Sequence, residues 1–377
     1  MPSFNLAALA AKFPWFTLST SFAIAFAAIY FLTPVARRTG WVDKPSLRKN
    51  HEGEIPLIGG WGVLLAMAGA QLLGPAVAMA PAGYWIGALL LFFVALIDDR
   101  HPIRARYRFL VQFAAAIAGI SFGGQALPDL GNLLATGEIS AWWIVVPVSV
   151  FGTVALINAV NFTDGVDGLC GGLGFISLFW FLIAVTISTS LAARVGAEPA
   201  TYAHSLIPLA AAVMGSLAAF LFFNMRSPWR RKAAVFMGDS GSMLIGFTLA
   251  WFAIHVASAY GSAGVSPVVC LWIMAVPLAD SASCFVRRIL AGGKPTTPDL
   301  RHLHHLLMKS GMSVSRAVAT IHAGSFFCGL VGVGGWWLEL PDYGMFLGFI
   351  VALLGFMLLT IRFWERVESN EPGAQAA

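Results

Sequence analysis

Apolar segments of membrane-crossing length alternate with short polar segments along almost the whole chain. A helix needs about 20 apolar residues to cross the hydrocarbon core of a bilayer. The segments predict about eleven transmembrane helices, at roughly 15–35, 57–78, 83–97, 107–123, 141–157, 170–190, 205–224, 241–260, 266–285, 315–337 and 343–361. We therefore predict an all-α polytopic integral membrane protein, with a single transmembrane domain over residues 1–367 and a disordered tail over residues 368–377.

The composition agrees with this pattern. Of the 377 residues, 58% are hydrophobic and 11% are charged, and the mean hydropathy is +0.78. Soluble domains carry about 25% charged residues, so a large soluble core is excluded. The four cysteines contain no Cys-x-x-Cys pair, and they predict neither a disulfide framework nor a zinc site.

Basic residues fall almost entirely on one side of the predicted helices. Of the 23 lysines and arginines, only Lys12 and Arg194 lie in the loops of the other side. Loops rich in lysine and arginine stay in the cytoplasm. The N-terminus is therefore predicted outside and the C-terminus in the cytoplasm, with every polar cluster described below on the cytoplasmic face.

The stretch NAVNFTDGVDGL, residues 158–169, interrupts the apolar pattern most strongly. It holds the carboxylates of Asp164 and Asp167 beside the amides of Asn158 and Asn161. Polar groups at a membrane boundary are costly unless they line a cavity or bind a ligand. If the stretch is helical, the two acids share one face. No basic residue lies inside the stretch, so the acids and amides indicate a site for a hard cation or for a phosphate held by a cation.

Three further acids lie at predicted helix ends on the same face. Asp98 and Asp99 follow an apolar run directly, where they repel each other and oppose the helix dipole. A cation or proton role is therefore favoured over a solvated cap. Asp239, in the motif FMGDSGS, precedes another helix. Its carboxylate is predicted to bind a cation and the amides at the helix start to bind phosphate, with a simple N-cap as the alternative.

Two loops on this face are rich in basic residues and histidine. The first holds Arg48 and His51, for which contact with an anionic head group or phosphate and simple anchoring of the topology are the alternatives. It leads into Gly59 and Gly60, which indicate close packing or a bend. The second reads PDLRHLHH and holds the candidate phosphate-binding residues Arg301, His302, His304 and His305. Anion binding is favoured there over zinc, because only Asp299 adds a useful ligand.

Acids and basic clusters on one face favour an enzyme over a cation transporter. Such a set suits the joining of two phosphate-bearing substrates through a magnesium ion. The bilayer location indicates that one substrate is a lipid phosphate and that the other comes from the cytosol. Asp280 is embedded in apolar sequence and needs a partner. Arg287, seven residues on, lies on the same helical face.

These motifs, in this order, resemble the polyprenyl-phosphate N-acetylhexosamine-1-phosphate transferases, the group that contains WecA and MraY. The resemblance covers nearly the whole chain. It runs from Arg48-Lys49-x-His51, Pro56 and Gly59-Gly60 through Asp98-Asp99-Arg100, NAVNFTDGVDGL and FMGDSGS to Pro277-x-x-Asp280, Arg287-Arg288 and PDLRHLHH. The His-x-His-His form at 302–305 and the arginine after the paired acids are closer to the WecA branch. The three consecutive histidines and lysine-rich stretch usual in the MraY branch are missing.

The resemblance implies the reaction and its partners. N-acetylglucosamine 1-phosphate passes from UDP-N-acetylglucosamine to undecaprenyl or a similar polyprenyl phosphate, and UMP is released. The setting implied is a bacterial inner membrane, where the product starts a lipid-linked cell-envelope glycan. Membrane lipid is a partner, nucleic acid is not, and a homodimer is compatible with the sequence. The implied cofactor is Mg²⁺, with Mn²⁺ as the alternative ion, held by Asp239 with Asn161 close by.

The resemblance also implies roles for the other site residues. Asp98 matches the position proposed as base for the lipid phosphate. A phosphate monoester has a second pKa near ~6 and is already mostly dianionic, so positioning and charge neutralisation should dominate. For Asp98 and Asp99, holding a cation or orienting groups therefore stays open beside the base role. Asp164 and Asp167 would position the uridine–ribose or the ion, and Arg301 with the three histidines would hold the donor pyrophosphate. Arg48, His51 and Asn158 join the phosphate-binding set.

Three alternatives stay open at this point. The same chemistry suits another UDP-N-acetylhexosamine or the UDP-muramoyl-pentapeptide. A cation-coupled transporter predicts acids near the bilayer middle and inverted repeats, whereas here the acids lie at helix ends and no repeat is evident. A catalytically silent family member would lack motif residues, and none is missing.

Overall fold

A computed structural model describes residues 13–44, 53–73, 80–123, 125–196, 203–258, 264–290, 292 and 301–369. Within these ranges the chain is almost entirely helical. The helices are α1 (Trp15–Thr39), α2 (Gly59–Leu73), α3 (Ala82–Asp98), α4 (Ala105–Gly123), α5 (Trp142–Asn161), α6 (Leu169–Val195), α7 (Ala203–Asn224), α8 (Gly238–Ser258), α9 (Pro267–Ile273), α10 (Ala275–Leu290), α11 (Leu303–Lys309), α12 (Val314–Trp337) and α13 (Asp342–Ser369). Two short strands, β1 (Val42–Asp43) and β2 (Ile55–Pro56), pair antiparallel.

Wherever the structure describes them, the segments predicted to cross the membrane are mainly helical. Among the described residues, seven helices are long and apolar enough to span a bilayer, and the bent pair α9–α10 makes an eighth candidate. Helices α2 and α3 are apolar but shorter, with 15 and 17 residues. The all-α, multi-pass class is confirmed. The count of eleven spans and the orientation of the termini stay predictions.

One predicted span, the ninth, is broken rather than straight. Helix α9 ends at Ile273 and α10 begins at Ala275, and the two axes meet at 77°. Pro277 gives the physical reason, because it has no N–H to donate to the carbonyl of Ile273 and its ring crowds the preceding turn. Beyond the bend, α10 packs against α5, α12 and α13. This packing brings Asp280 towards the loop that carries the histidines.

Helix α8 lies at the centre of the described structure. It packs against α2, α3, α5 and α6, and every residue from Ser240 to Ala257 is buried. A helix that is apolar all round belongs in the interior. Asp239 is the part-exposed residue in its first turn. The N-terminus of the central helix is therefore where the core opens to a polar site.

The glycine pair that starts α2 fixes the position of the FMGDSGS motif. The N–H groups of Gly59 and Gly60 donate to the carbonyls of Phe236 and Met237 over 2.9 and 3.0 Å. A Cβ added to Gly60 would lie 2.6 Å from the backbone nitrogen of Gly241, which is closer than a real Cβ contact. The close packing predicted for this pair is confirmed, and it holds the start of α8 against α2.

Candidate active site

Four of the predicted acids meet where α3 and α5 end and α8 begins. We call Asp98, Asp99, Asp164 and Asp239 the acid cluster. Asp98 and Asp99 come from the end of α3, Asp164 from the loop after α5, and Asp239 from the first turn of α8. Asp167 belongs to the same motif as Asp164 but lies elsewhere, as described below.

Carboxylates accept hydrogen bonds from the backbone N–H groups at the N-terminus of α8. Asp99 accepts hydrogen bonds from the N–H groups of Asp239 (2.7 Å) and Ser240 (3.2 Å), and the N–H of Gly238 donates to Asp164. Acids at a helix N-terminus satisfy its free amides and its dipole. The prediction that these amides bind phosphate is therefore wrong, because residues from two other segments of the chain already cap them.

Burial, together with repulsion between like charges, perturbs Asp99 and Asp164. Burial, and then repulsion from Asp239, raises the pKa of Asp99 to about 7, although it accepts two backbone hydrogen bonds. Burial and the charges of Asp239 and Asp99 raise the pKa of Asp164 well above its usual range. A bound cation would reduce this repulsion, so the charges of the cluster favour cation binding.

One oxygen of Asp98 accepts a hydrogen bond, and the other faces an arginine. Its Oδ1 accepts from the N–H of Ile103 at 2.6 Å, and its Oδ2 lies 3.0 Å from the Nη1 of Arg108. The same Nη1 lies 3.8 Å from the Oδ2 of Asp239. Arg108 thus stands between two acids of the cluster, although the sequence reasoning counted it only as a basic residue of a cytoplasmic loop.

Asn161 contacts Asp239, as the metal prediction required, but through its nitrogen. Its Nδ2 donates to Asp239 Oδ1 at 2.8 Å and to Ser242 Oγ at 2.9 Å. These bonds hold the Asp239 carboxylate in one orientation. Asn161 would need to turn its amide over to offer oxygen to an ion.

The donor chemistry of the cluster fits Mg²⁺. This ion prefers carboxylate oxygen and is usually held by one or two carboxylates, several waters and the phosphates of a substrate. Asp239 supplies a carboxylate whose side chain is 35% exposed, next to repelling acids. Asp239 would hold the ion, and Asn161 would join it with its amide turned.

The stretch between α5 and α6 is not helical, so Asp164 and Asp167 do not share a face. Residues 162–168 form turns, and Gly168 takes a left-handed conformation with φ of 85°. Asp164 points to the start of α8, whereas Asp167 Oδ2 accepts from Arg226 Nε at 2.7 Å and from the Ala233 N–H at 3.3 Å. Asp167 therefore ties down the loop after α7, and its partner is an arginine 59 residues away.

Asn158 belongs to an amide pair within the helices. Its Nδ2 donates to Gln112 Oε1 at 2.7 Å, and Gln112 Nε2 donates back to Asn158 Oδ1 at 3.3 Å. The pair joins α5 to α4. A phosphate-binding role for Asn158 stays a prediction, and it would require this pair to open. Arg48 and His51, the other two members of that set, lie outside the described residues.

The histidine loop, which we define as residues 301–305, is held by α10. Asp280 accepts from the Leu303 N–H at 2.8 Å and lies 2.9 Å from Nδ1 of His302. It thus caps α11 and pairs with its N-cap residue. The prediction that Arg287 would pair with Asp280 is wrong. Arg287 instead donates to the Arg301 carbonyl at 2.6 Å and to Cys284 Sγ at 3.3 Å.

Asp280, Cys284 and His302 form a buried group with metal-binding chemistry. One ligand atom from each lies within 4.8 Å of the others, the single group of three that the described residues provide. A thiol, an imidazole and a carboxylate suit zinc rather than magnesium. All three atoms already share hydrogen bonds, and the guanidinium of Arg287 lies beside the sulfur. We therefore interpret the group as a closed hydrogen-bond network. Sequence reasoning missed Cys284, which lies four residues after Asp280 on α10 and meets His302 only through the fold.

The charges of His302 and His304 differ. Burial alone would lower the pKa of His302, but hydrogen bonds to Asp280 and Cys284 outweigh it and raise the pKa to about 10. Burial, and then repulsion from His305 and His302, lowers the pKa of His304 to about 2. His304 is 2% exposed, and a Cβ on Gly165 would lie 3.0 Å from its Nε2. It is therefore a neutral ring packed against the Asp164 loop, and any anion contact by His304 would use an N–H rather than a charge.

Comparison with known proteins points to one family. The glycosyl transferase family 4 profile matches residues 81–257. A Yersinia pestis protein named undecaprenyl-phosphate alpha-N-acetylglucosaminyl 1-phosphate transferase is 34% identical over 354 residues, which cover 93% of each chain. Proteins of the same name from Haemophilus influenzae and Escherichia coli (strain K12) are 33% and 31% identical; they cover 93% and 88% of this chain, and 94% and 84% of the relatives.

The chain belongs to the polyprenyl-phosphate N-acetylhexosamine-1-phosphate transferase family. The resemblance drawn from its motifs is thereby confirmed. In this transferase, the residues that sequence reasoning missed are partners rather than motif members, such as Arg108, Gln112 and Arg226. Each meets its motif residue through the fold, and no local spacing in the sequence marks it.

Proposed function

We propose that this protein transfers N-acetylglucosamine 1-phosphate from UDP-N-acetylglucosamine to undecaprenyl phosphate and releases UMP. The observation that carries the proposal is Asp239, a part-exposed carboxylate at the N-terminus of the buried central helix, surrounded by three further acids. The relatives that span nearly the whole chain bear the name of this activity.

The reaction exchanges one phosphorus–oxygen bond for another. An oxygen of the lipid phosphate attacks the phosphorus bonded to the sugar, and the bond from that phosphorus to the bridging oxygen breaks, so that UMP leaves with the electron pair. No proton transfer is needed, because the attacking phosphate is already ionised at cytosolic pH. Catalysis then rests on positioning and on neutralising charge.

The residues of the acid cluster have separate tasks in this reaction. Asp239 would hold Mg²⁺, with Mn²⁺ as the alternative ion, and the ion would supply positive charge to offset the pyrophosphate. Asn161 holds the Asp239 side chain, and Asp99 holds its backbone. Arg301 is exposed on the histidine loop and contacts the donor. A second copy of the chain as partner stays a prediction.

The membrane setting assigns the two substrates to two sides of the site. The multi-pass helices place the protein in a membrane, and its bacterial relatives favour the inner membrane. The one-sided distribution of lysine and arginine supports a cytoplasmic position for the acid cluster, where UDP-sugars are available. The lipid acceptor reaches the same cluster from the bilayer.

A radiolabel transfer assay tests this function. Purified protein is mixed with Mg²⁺ and undecaprenyl phosphate, and with UDP-N-acetylglucosamine or the UDP-muramoyl-pentapeptide in parallel. Label in the lipid fraction and UMP from the first donor alone are expected. Label from the second donor alone would keep the chemistry and change the sugar. Transfer from neither donor would contradict the proposal and direct the search to other UDP-N-acetylhexosamines.

A further inference from the structure

Arg108 is a basic side chain that contacts two residues of the acid cluster, Asp98 and Asp239. Its Nη1 lies 3.0 Å from Asp98 Oδ2 and 3.8 Å from Asp239 Oδ2. Asp98 is nearly enclosed, with 4% of its side chain exposed, whereas Arg108 is 27% exposed. The arginine therefore connects a buried acid to the acid that faces the open side of the cluster.

Asp98 is poorly placed to take a proton from a substrate. Its Oδ1 is occupied by the N–H of Ile103 at 2.6 Å, and its Oδ2 faces Arg108. To act as a base it would have to reach a substrate from this buried position, with Oδ2 directed at Arg108. Its contacts are those of a carboxylate that fixes an arginine and the loop between α3 and α4.

Arg108 retains donors for an anion. A guanidinium has five N–H groups in a planar fork that matches phosphate oxygens. Both acid contacts of Arg108 run through Nη1. The remaining edge of the fork is therefore the part of the cluster best suited to a doubly charged phosphate.

The neighbours of Arg108 place it at a lipid-facing surface. Tyr107 is 47% exposed and Leu110 is 64% exposed, and both lie in the first turns of α4. Large apolar side chains exposed on a membrane protein face the bilayer. Arg108 thus lies within one helical turn of side chains that would contact lipid, and its Nη1 lies 3.8 Å from the carboxylate of Asp239.

We propose that Arg108 binds a substrate phosphate and that Asp98 is a positioning residue that holds Arg108 in place. The inference rests on the proposed function and deepens it. The same guanidinium chemistry suits the polyprenyl phosphate and the donor pyrophosphate. The lipid-facing position assigns Arg108 to the polyprenyl phosphate, and the experiment separates the two sources.

The kinetic test compares three single variants, Arg108→Ala, Arg108→Lys and Asp98→Asn. It also includes the double variant that combines Asp98→Asn and Arg108→Ala. Arg108→Ala should lower kcat/KM for undecaprenyl phosphate by about 10²-fold, with a much smaller change in KM for UDP-N-acetylglucosamine. Arg108→Lys should recover only part, because an ammonium cannot form the fork. Arg106→Ala is the matched control, since Arg106 is exposed and contacts Tyr107; its kinetics should stay within about twofold of the wild type.

The double variant separates a positioning role from a base. If Asp98 acts through Arg108, the double variant should be no slower than Arg108→Ala within about threefold, because the two losses are not additive. Multiplied losses would overturn the positioning role. A KM change confined to the UDP-sugar would overturn the assignment to the lipid phosphate, and unchanged KM and kcat for both substrates would overturn the proposal.

Binding measurements keep the inference separate from the transfer reaction. A short-chain polyprenyl phosphate is titrated by calorimetry into wild-type protein and into Arg108→Ala, in detergent and without donor. A Kd raised about tenfold or more in the variant is expected, and equal Kd values would contradict phosphate binding. Mn²⁺ affinity, measured by electron paramagnetic resonance, should be unchanged or tighter in Arg108→Ala, because a competing cation has gone. A wild type that binds the lipid phosphate but transfers no sugar would contradict the proposed function alone.

Discussion

The acid cluster and the histidine loop differ in how their charged side chains are paired and buried. In the acid cluster, four carboxylates lie close together, Arg108 contacts two of them, and Asp239 remains 35% exposed. At the histidine loop, His302 pairs with Asp280 of α10, and the two residues are 5% and 6% exposed. Carboxylates that repel each other at a part-exposed position are typical of a site that binds a cationic ligand. Opposite charges that are paired and buried are typical of a structural role. The contrast indicates that the acid cluster carries the chemistry and that Asp280 holds the histidine loop beside it.

The largest effect should come from Asp239→Asn. Losing the negative charge removes the proposed Mg²⁺ ligand while keeping the shape of the side chain, so transfer should fall by about 10³-fold or more. Thermal unfolding in detergent should change little. Glu138→Gln makes the same charge change at an exposed position away from the cluster and should keep full activity. Turnover like that of the wild type in Asp239→Asn would remove the acid cluster from the chemistry.

The next effect should be on stability, from Asp280→Ala. It leaves the charge of His302 buried without its partner and uncaps α11, and breaking a buried pair costs about 3–5 kcal/mol. Chemical or thermal unfolding in detergent measures this loss. The double variant Asp280→Ala with His302→Leu should lose less than the sum of the two single variants, because both remove one interaction.

The metal content of the protein tests the same network in a second way. A hydrogen-bond network predicts that protein purified without chelator contains well below one zinc per chain by elemental analysis. One zinc per chain in the wild type, lost in Cys284→Ser, would contradict our interpretation of the Asp280, Cys284 and His302 group.

A smaller effect should separate Asp167 from Asp164, although both belong to one motif. Asp167→Asn weakens a contact with Arg226, whose side chain is 35% exposed, and should cost about 1 kcal/mol. Arg226→Ala should produce a similar loss of stability and a similar, modest fall in kcat. If kcat of Asp167→Asn were far lower than kcat of Arg226→Ala, Asp167 would have a role in substrate binding beyond its contact with Arg226.

The smallest effect is a pair of pH dependences that distinguish the two regions. Both groups have a raised pKa in the folded protein, so each binds more protons when folded and loses stability as pH rises. For Asp99 the window runs from 3.8 to about 7. For His302 the stabilisation is full below 6.5 and is lost as pH rises through about 10. The unfolding free energy is measured as a function of pH. Asp99→Asn should reduce its pH dependence in the lower window, and His302→Gln should reduce it in the upper window. A His302→Gln curve parallel to that of the wild type would contradict the charged pair.

Much of the site could be anticipated from motifs because catalytic residue types are concentrated in short polar stretches between apolar helices. Asp98, Asp99, Asp164 and Asp239 do meet. The errors concern partners. The amides of FMGDSGS resembled a phosphate site because a motif cannot reveal that Asp99 and Asp164 already occupy them. Asp280 was paired with Arg287 because helical spacing considers one helix, whereas His302 arrives from a different segment.

The sequence by itself determined the protein class and the family, because hydropathy and ordered motifs are read along the chain. Only the tertiary structure decided which charges meet. Asp167 finds Arg226 across 59 residues, and Asp98 finds Arg108 only because the chain turns between α3 and α4. The physical reason is that electrostatic pairing depends on distance in space and on exclusion of water. The spacing of residues along the chain predicts neither the distance between charges nor the exclusion of water in a stretch such as 162–168, because this stretch forms turns and has no helical repeat.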